Sequence, residues 1–256
     1  MNKIDLVFFY NPPPFSYHKY SFFDQLNDSL KINRKYFNKT ILITTDKKVN
    51  KIQNIDFIHH MLCDSLDEVH FNRIKSWADY SSSNFFLNDS LLLDADIVFN
   101  ENIDYLFKNN FSIAISTQTT SSSPINAGLI LLKKNKKDII SKNFFNILEI
   151  GKKIKHLKDS RFPNIERSAI WGLDEFALNV YLSQFFKEKT DIKEFIKNLK
   201  IESISPFFNE ISFLAENIGI DYKYLDKEKI RNYPAIHFNG NSKQEMKKYI
   251  DSIIDN

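Results

Sequence analysis

Apolar residues in this chain fall into short runs separated by amphipathic stretches, the pattern of strands alternating with helices. Ile4 to Phe9 predicts a first buried strand, closed by Asn11-Pro12-Pro13-Pro14. A helix is expected from about Tyr20 to Asn33. Ile41 to Thr45 predicts a second strand, ended by Asp46, and Ile55 to Ile58 a short third one. Ser65 opens the next expected helix, with Asp67 and Glu68 in its first turn, where the macrodipole favours acids. That helix is expected to reach about Tyr80. Leu91-Leu92-Leu93 has no polar face at all, so it reads as a strand buried on both sides.

Phe111 to Ser116 and Gly128 to Leu132 predict two further strands. The hydroxyl-rich stretch Thr117 to Pro124 between them suits either an exposed connection or a wall of a ligand pocket. Ile139, Ile140, Phe144, Ile147 and Leu148 recur at helical spacing. Ile170 to Gln184 predicts another amphipathic helix, with Phe176 and Val180 on its buried side. Lys187 to Lys200 is charged and expected to be helical, and Ile201 to Ile204 to be a strand. Ala235 to Phe238 forms the last expected strand, followed by a terminal helix carrying Met246, Ile250, Ile253 and Ile254. Strands alternating with helices predict an α/β fold: a Rossmann-like, mostly parallel central sheet flanked by helices, in one domain over residues 1–256. Ligands in such sheets bind outside the carboxyl ends of the strands.

Composition narrows the setting. A net charge of +3 is too small to point to nucleic acid. The single Cys63 excludes an intrachain disulfide and fits a reducing compartment. The opening residues lack the apolar length of a signal peptide, and no run approaches the ~20 residues of a membrane span. A cytoplasmic location is therefore expected. Lysines crowd the Lys133–Lys158 region: Lys133, Lys134, Lys136, Lys137, Lys142, Lys152, Lys153, Lys155 and Lys158. A solvated helix face is the simpler reading of them. A patch for anionic lipid or a lipid-linked phosphate, on the inner face of the membrane, is the sharper one.

Candidate chemistry begins directly after the leucine run, at Asp94-Ala95-Asp96. Carboxylates at the end of a buried strand are costly to desolvate unless a cation meets them. A divalent Mg²⁺ or Mn²⁺ carrying a diphosphate suits such oxygen ligands. Asn126-Ala127-Gly128 opens the next apolar run; the amide can bond sugar hydroxyls, and the glycine permits close backbone approach. His237-Phe238-Asn239-Gly240-Asn241-Ser242-Lys243 places an imidazole and an ammonium beside a turn, ahead of a helix N-terminus suited to phosphate.

Together with Asp174-Glu175-Phe176-Ala177-Leu178-Asn179, these segments resemble glycosyltransferases of the GT-A fold. The likeness is closest to family 8, the glycogenin-like and bacterial lipopolysaccharide galactosyl and glucosyl enzymes. The resemblance implies Asp94, Asp96 and His237 as ligands of Mn²⁺. It implies Lys243 at the diphosphate, with Asp94, Asn126, Ala127, Gly128 and Gly240 lining the donor. Arg73 or Lys75, on the preceding helix, would add positive charge there. Gln244-Glu245 stands where family 8 usually carries Pro-Trp. The Asp174-Glu175-x-x-Leu178-Asn179 segment is similar to family 6, which places Glu175 under the anomeric carbon and leaves Asp174 to a sugar or acceptor hydroxyl. Both families retain anomeric configuration. The implied activity is retaining transfer of a hexose from a nucleotide sugar, UDP-linked in most members, to a surface glycan such as lipopolysaccharide or another glycoconjugate. A sugar-phosphate nucleotidyltransferase is the alternative enzyme, but it calls for a Gly-rich phosphate loop where Asn11-Pro12-Pro13-Pro14 stands. An inactive nucleotide- or glycan-binding module is the non-enzymatic alternative.

Overall fold

Runs without a polar face must be covered on both sides, and here they pair side by side under two layers of helix. The computed structural model of the protein describes residues 3–12, 21–66, 68–117, 125–155, 172–182, 211–215 and 218–254. The strands are β1 (Ile4–Tyr10), β2 (Lys39–Thr44), β3 (Phe57–His60), β4 (Asp89–Leu93), β5 (Ile97–Phe99), β6 (Ile113–Thr117), β7 (Ile125–Leu132), β8 (Ile211–Phe213), β9 (Ile218–Asp221) and β10 (Ala235–His237). The helices are α1 (Phe22–Asn33), α2 (Val69–Ser82), α3 (Lys137–Lys155), α4 (Leu173–Tyr181) and α5 (Lys243–Ile254). The main sheet runs β3-β2-β1-β4-β7-β6-β8, and β5-β10-β9 form a smaller one. In the main sheet β7 alone runs against its neighbours, so the expected mostly parallel sheet is present.

Alternate residues of each central strand serve the two layers. Leu92 of β4 packs with Val7 and Ile43 under α2, α3 and α4. Leu91 and Leu93 face the other way, with Leu6, Phe8 and the α1 residues Leu26 and Leu30. Each such leucine contributes about 1.5–3 kcal/mol when fully buried. A third cluster joins the small sheet to α5 through Val98, Ile236, Met246 and Ile250.

Several boundaries differ from the expectation, β7 for one beginning at Ile125 ahead of the expected Gly128, and two of them have identifiable reasons. α2 starts at Val69, after Glu68, and has no acid in its first turn. The carbonyl of Ser65 accepts from Asn72 Nδ2 and that of Leu66 from Asn11 Nδ2, both at 2.7 Å. Those carbonyls face side chains and cannot enter a helical ladder. β3 begins two residues late because Arg34 holds the backbone oxygen of Asn54 and both oxygens of Asp56 in a turn. The expected elements at Lys187–Lys200 and Ile201–Ile204, Asp67, and residues 118–124 of the hydroxyl-rich loop lie outside the described residues.

Several lysines of the basic region are spent on local partners. Lys133 donates to the Asn109 carbonyl, Lys137 to that of Ser83, and Lys152 and Lys155 pair with Glu149 and Glu68. Among the described residues, no helix is long and apolar enough to cross a membrane.

The short strand β5 had no sequence signal, and a single side chain secures it. Fully buried Asn33, the last residue of α1, donates from Nδ2 to the Ile97 carbonyl and accepts at Oδ1 from the Phe99 N–H, both at 2.9 Å. Its amide acts as a further strand on the free edge of β5. Asn33→Ala would leave a buried donor and a buried acceptor unpaired, so a loss of about 2–4 kcal/mol is expected. Urea denaturation measures it; a loss within error of zero would show that the edge is not sealed this way.

Candidate active site

β4 ends at Leu93, and the chain turns at once, with the Ile97 N–H bonded to the Asp94 carbonyl. β5 then returns alongside β10, which it pairs in antiparallel fashion with Ile97 opposite His237. The Phe238 N–H donates to the Asp96 carbonyl at 2.9 Å. Residues from mid-chain and from near the carboxyl end therefore meet at the carboxyl edge of the main sheet. Asp96 Oδ1 lies 3.2 Å from His237 Nε2, and Asp94 Oδ2 lies 3.7 Å from it. One ligand atom from each of Asp94, Asp96 and His237 falls within 4.8 Å of the others. Two carboxylates and an imidazole form a donor set that suits Mn²⁺ or Mg²⁺. The residues fit such an ion.

β7 is shaped to permit this approach. Ile115 stands opposite Ile130 but Ser116 opposite Asn126, so residues 127–129 bow out of the β6 ladder. The bow carries Gly128 against the centre. A Cβ there would stand 2.9 Å from Asn126 Oδ1 and 3.0 Å from both Asp94 Oδ2 and His237 Cε1. Only glycine leaves that space. The Asn126 side chain accepts from the Gly128 N–H at 2.8 Å and turns its Nδ2 to His237 Nδ1, also at 2.8 Å. Gly240, at φ +56°, opens the turn into α5, and Lys243 is the first residue of that helix. Lys243 Nζ reaches Asp96 Oδ2 at 3.1 Å.

These charges hold one another in place. Burial works against ionised Asp96, but His237 and Lys243 override it and keep the carboxyl well below its ordinary range. Burial likewise disfavours a charged His237, yet Asp96, Asp221 and Asp94 raise its pKa to about 10. A cation on Nε2 must therefore displace a proton, and binding is linked to proton release.

Arg73 and Asp174 carry roles the sequence did not suggest. Arg73 donates to Asp94 Oδ1 at 2.5 Å, to the Ala127 carbonyl at 2.7 Å and to Asp174 Oδ2 at 3.0 Å. Its guanidinium also lies over the Trp77 ring, 5.4 Å from the centroid. These contacts make Arg73 a clamp between the turn after β4, β7 and α4. Lys75 pairs with Asp79 on its own helix. Asp174 is 1% exposed and gives one oxygen to Arg73 and the other to His70 Nδ1 at 2.9 Å. Glu175, next on α4, is differently placed. Among the described residues its Oε1 accepts a long bond from the Ala127 N–H, 3.4 Å. Burial first, and then Asp174, raise its pKa to about 7.

Asp221 and His70 belong to this cluster and were missed. Asp221 Oδ1 stands 3.3 Å from His237 Nδ1. Its only sequence signal was the glycine two residues earlier, since a glycine inside a short apolar run often marks a bulge. His70 had none beyond lying one helical turn before Arg73.

No family model matches the sequence, and no curated protein matches it. Solved structures do. The chain is similar to a glycosyltransferase involved in the glycosylation of the major capsid of PBCV-1, with TM-score 0.51 and 12% identity over 98% of this chain and 99% of that one. It is similar to GlyE, a glycosyltransferase of Streptococcus pneumoniae TIGR4, with TM-score 0.52 and 13% identity over 98% of this chain and 61% of that one. The apo structure of the bifunctional glycosyltransferase WbbM gives TM-score 0.50 and 11% identity, over 98% of this chain and 51% of that one. The chain shares the fold of these glycosyltransferases.

Glu175 lends itself to a test by stability alone. Below its ordinary pKa of 4.5 the carboxyl is neutral whether the chain is folded or not. As pH rises from there through about 7, the unfolded chain releases a proton that the folded one keeps, and stability falls. Glu175→Gln removes that fall. The variant is expected to match the parent near pH 4 and to exceed it by about 1–3 kcal/mol at pH 8. Denaturation at the two pH values measures this; equal stability at both would mean Glu175 is not desolvated.

Proposed function

We propose that the protein is a retaining, metal-dependent glycosyltransferase that moves a hexosyl group from a UDP-linked sugar to a hydroxyl of a surface glycan or glycoconjugate. One observation carries the reading: one ligand atom each of Asp94 and Asp96, in mid-chain, and of distant His237 converge within 4.8 Å at the carboxyl edge of the sheet. The fold shared with glycosyltransferases supports it. So does the absence of a glycine-rich phosphate loop after β1, where the Asn11 side chain is instead tied to Thr45, Leu66 and Asn72.

Asp94, Asp96 and His237 would hold Mn²⁺ or Mg²⁺. Such an ion supplies Lewis-acid stabilisation of the leaving diphosphate. Lys243, already beside Asp96, adds a positive charge for the same phosphates. Arg73 orients Asp94, and through Asp174 it fixes the first turn of α4. Asn126 and Gly128 form the side of the pocket next to the donor sugar. Glu175 is then the carboxylate beside that sugar which, among the described residues, has no ion-pair partner. In a double displacement it attacks the anomeric carbon as the bond to the diphosphate breaks, and the acceptor hydroxyl then displaces it, its proton passing to the released diphosphate. In a front-face reaction it stabilises the cationic sugar while the acceptor's proton passes to the leaving diphosphate. Either course retains configuration.

Screening nucleotide sugars for Mn²⁺-dependent hydrolysis tests the proposal. Asp96→Asn is expected to abolish Mn²⁺-dependent UDP binding, and unchanged affinity would remove Asp96 from the metal. Glu175→Gln should lower turnover by about a hundredfold or more with little change in donor affinity. A loss confined to affinity would reassign Glu175 to binding.

A further inference from the structure

We infer that Asp221 is the positioning residue of the metal centre: it orients the His237 ring and keeps a proton on Nδ1, leaving Nε2 free to ligate a divalent cation. The inference rests on the metal centre proposed above and names a residue that centre does not contain.

The backbone goes out of its way to bring Asp221 there. β9 and β10 pair in parallel with Ala235 opposite Ile218 but Ile236 opposite Ile220, so Gly219 is an extra, bulged residue. Its φ of +76° is one that a side chain resists, and a Cβ would stand 3.2 Å from Leu129 Cδ2. Without the bulge Ile220 would lie opposite His237; with it, Asp221 does. An isoleucine at this depth would cost nothing to desolvate. Asp221 is 1% exposed, and its Oδ2 has no hydrogen-bond partner among the described residues. Exposed Lys223 Nζ stands 3.9 Å from Oδ2, a distant ion pair; a carboxylate buried this deeply is still costlier than the isoleucine it displaces, so its other oxygen accounts for its presence.

That oxygen, Oδ1, stands 3.3 Å from His237 Nδ1. Asn126 Nδ2 donates to the same oxygen over a long 3.4 Å and competes for the same nitrogen at 2.8 Å. The amide can donate only to an unprotonated Nδ1. A neutral ring then carries its proton on Nε2, the nitrogen that faces Asp94 and Asp96, and cannot ligate through it. Asp221 can accept only from a protonated Nδ1, which leaves Nε2 as the ligand. Asn126 and Asp221 thus favour opposite tautomers, and the negative charge of Asp221 selects the one that binds metal.

The test compares wild type, Asp221→Asn and Asp96→Asn by Mn²⁺ titration followed by electron paramagnetic resonance, with thermal unfolding of each metal-free protein alongside. Asp221→Asn is expected to unfold near the wild-type temperature and to bind Mn²⁺ about ten- to a hundredfold more weakly. Wild-type affinity in Asp221→Asn, together with loss in Asp96→Asn, would overturn the inference and leave the metal centre standing. Wild-type affinity in both would remove the centre, and the inference with it. Should Asp221→Asn not fold, the wild-type protein decides: with histidine ¹⁵N-labelled and Mg²⁺ bound, His237 Nδ1 is expected to carry a hydrogen-bonded proton. A bare Nδ1 would overturn the assignment.

Discussion

Asp94, Asp96, Asp174, Glu175 and Asp221 gather at one end of a buried sheet, and keeping such carboxylates out of water is the constraint that orders this molecule. Isolated buried charges are costly, and each must meet a cation or give up its charge. Arg73 spans Asp94 and Asp174, while His237 and Lys243 meet Asp96. Glu175 makes no ion pair among the described residues and responds as burial requires, with a pKa of about 7. Pairs of acids driven apart by their surroundings are how one site holds both a fixed charge and a reactive one.

Arg73 makes this network mechanical as well as electrostatic. It joins the turn after β4 to the bow of β7 and the start of α4, so Asp94 and the helix turn that carries Glu175 are positioned by one side chain. A lysine could not do this, because only the planar guanidinium presents several donors in fixed directions. The Trp77 ring beneath it limits its remaining freedom. The small sheet supplies the other half of the frame. β5 leaves the acidic turn and pairs with β10, and that pairing alone brings His237 back to Asp96.

Much of the main sheet was legible because its strands carry strong, unbroken apolar runs. The leucine run, the Ile4 to Phe9 run and the run after Gly128 each became a central strand, and the amphipathic spacing around Phe144 became α3. The failures have local causes. α2 starts late because side-chain amides from Asn11 and Asn72 capture the carbonyls before it. β5, β8 and β9 were not expected; such short strands exist through pairing, and β5 also through the Asn33 amide.

Sequence by itself determined the α/β class, the strand that carries Asp94-Ala95-Asp96, and the residue types able to bind a cation and a phosphate. These follow from local pattern and from the chemistry of single side chains, which need no knowledge of distant partners. Only the tertiary structure decided that Arg73 is a clamp and that Asp174 is spent on it and on His70. It alone brought in Asp221, by means of a one-residue bulge. The reason is geometric: which cation answers which carboxylate depends on distances of a few ångströms between segments far apart in the chain, and no spacing along the sequence encodes them.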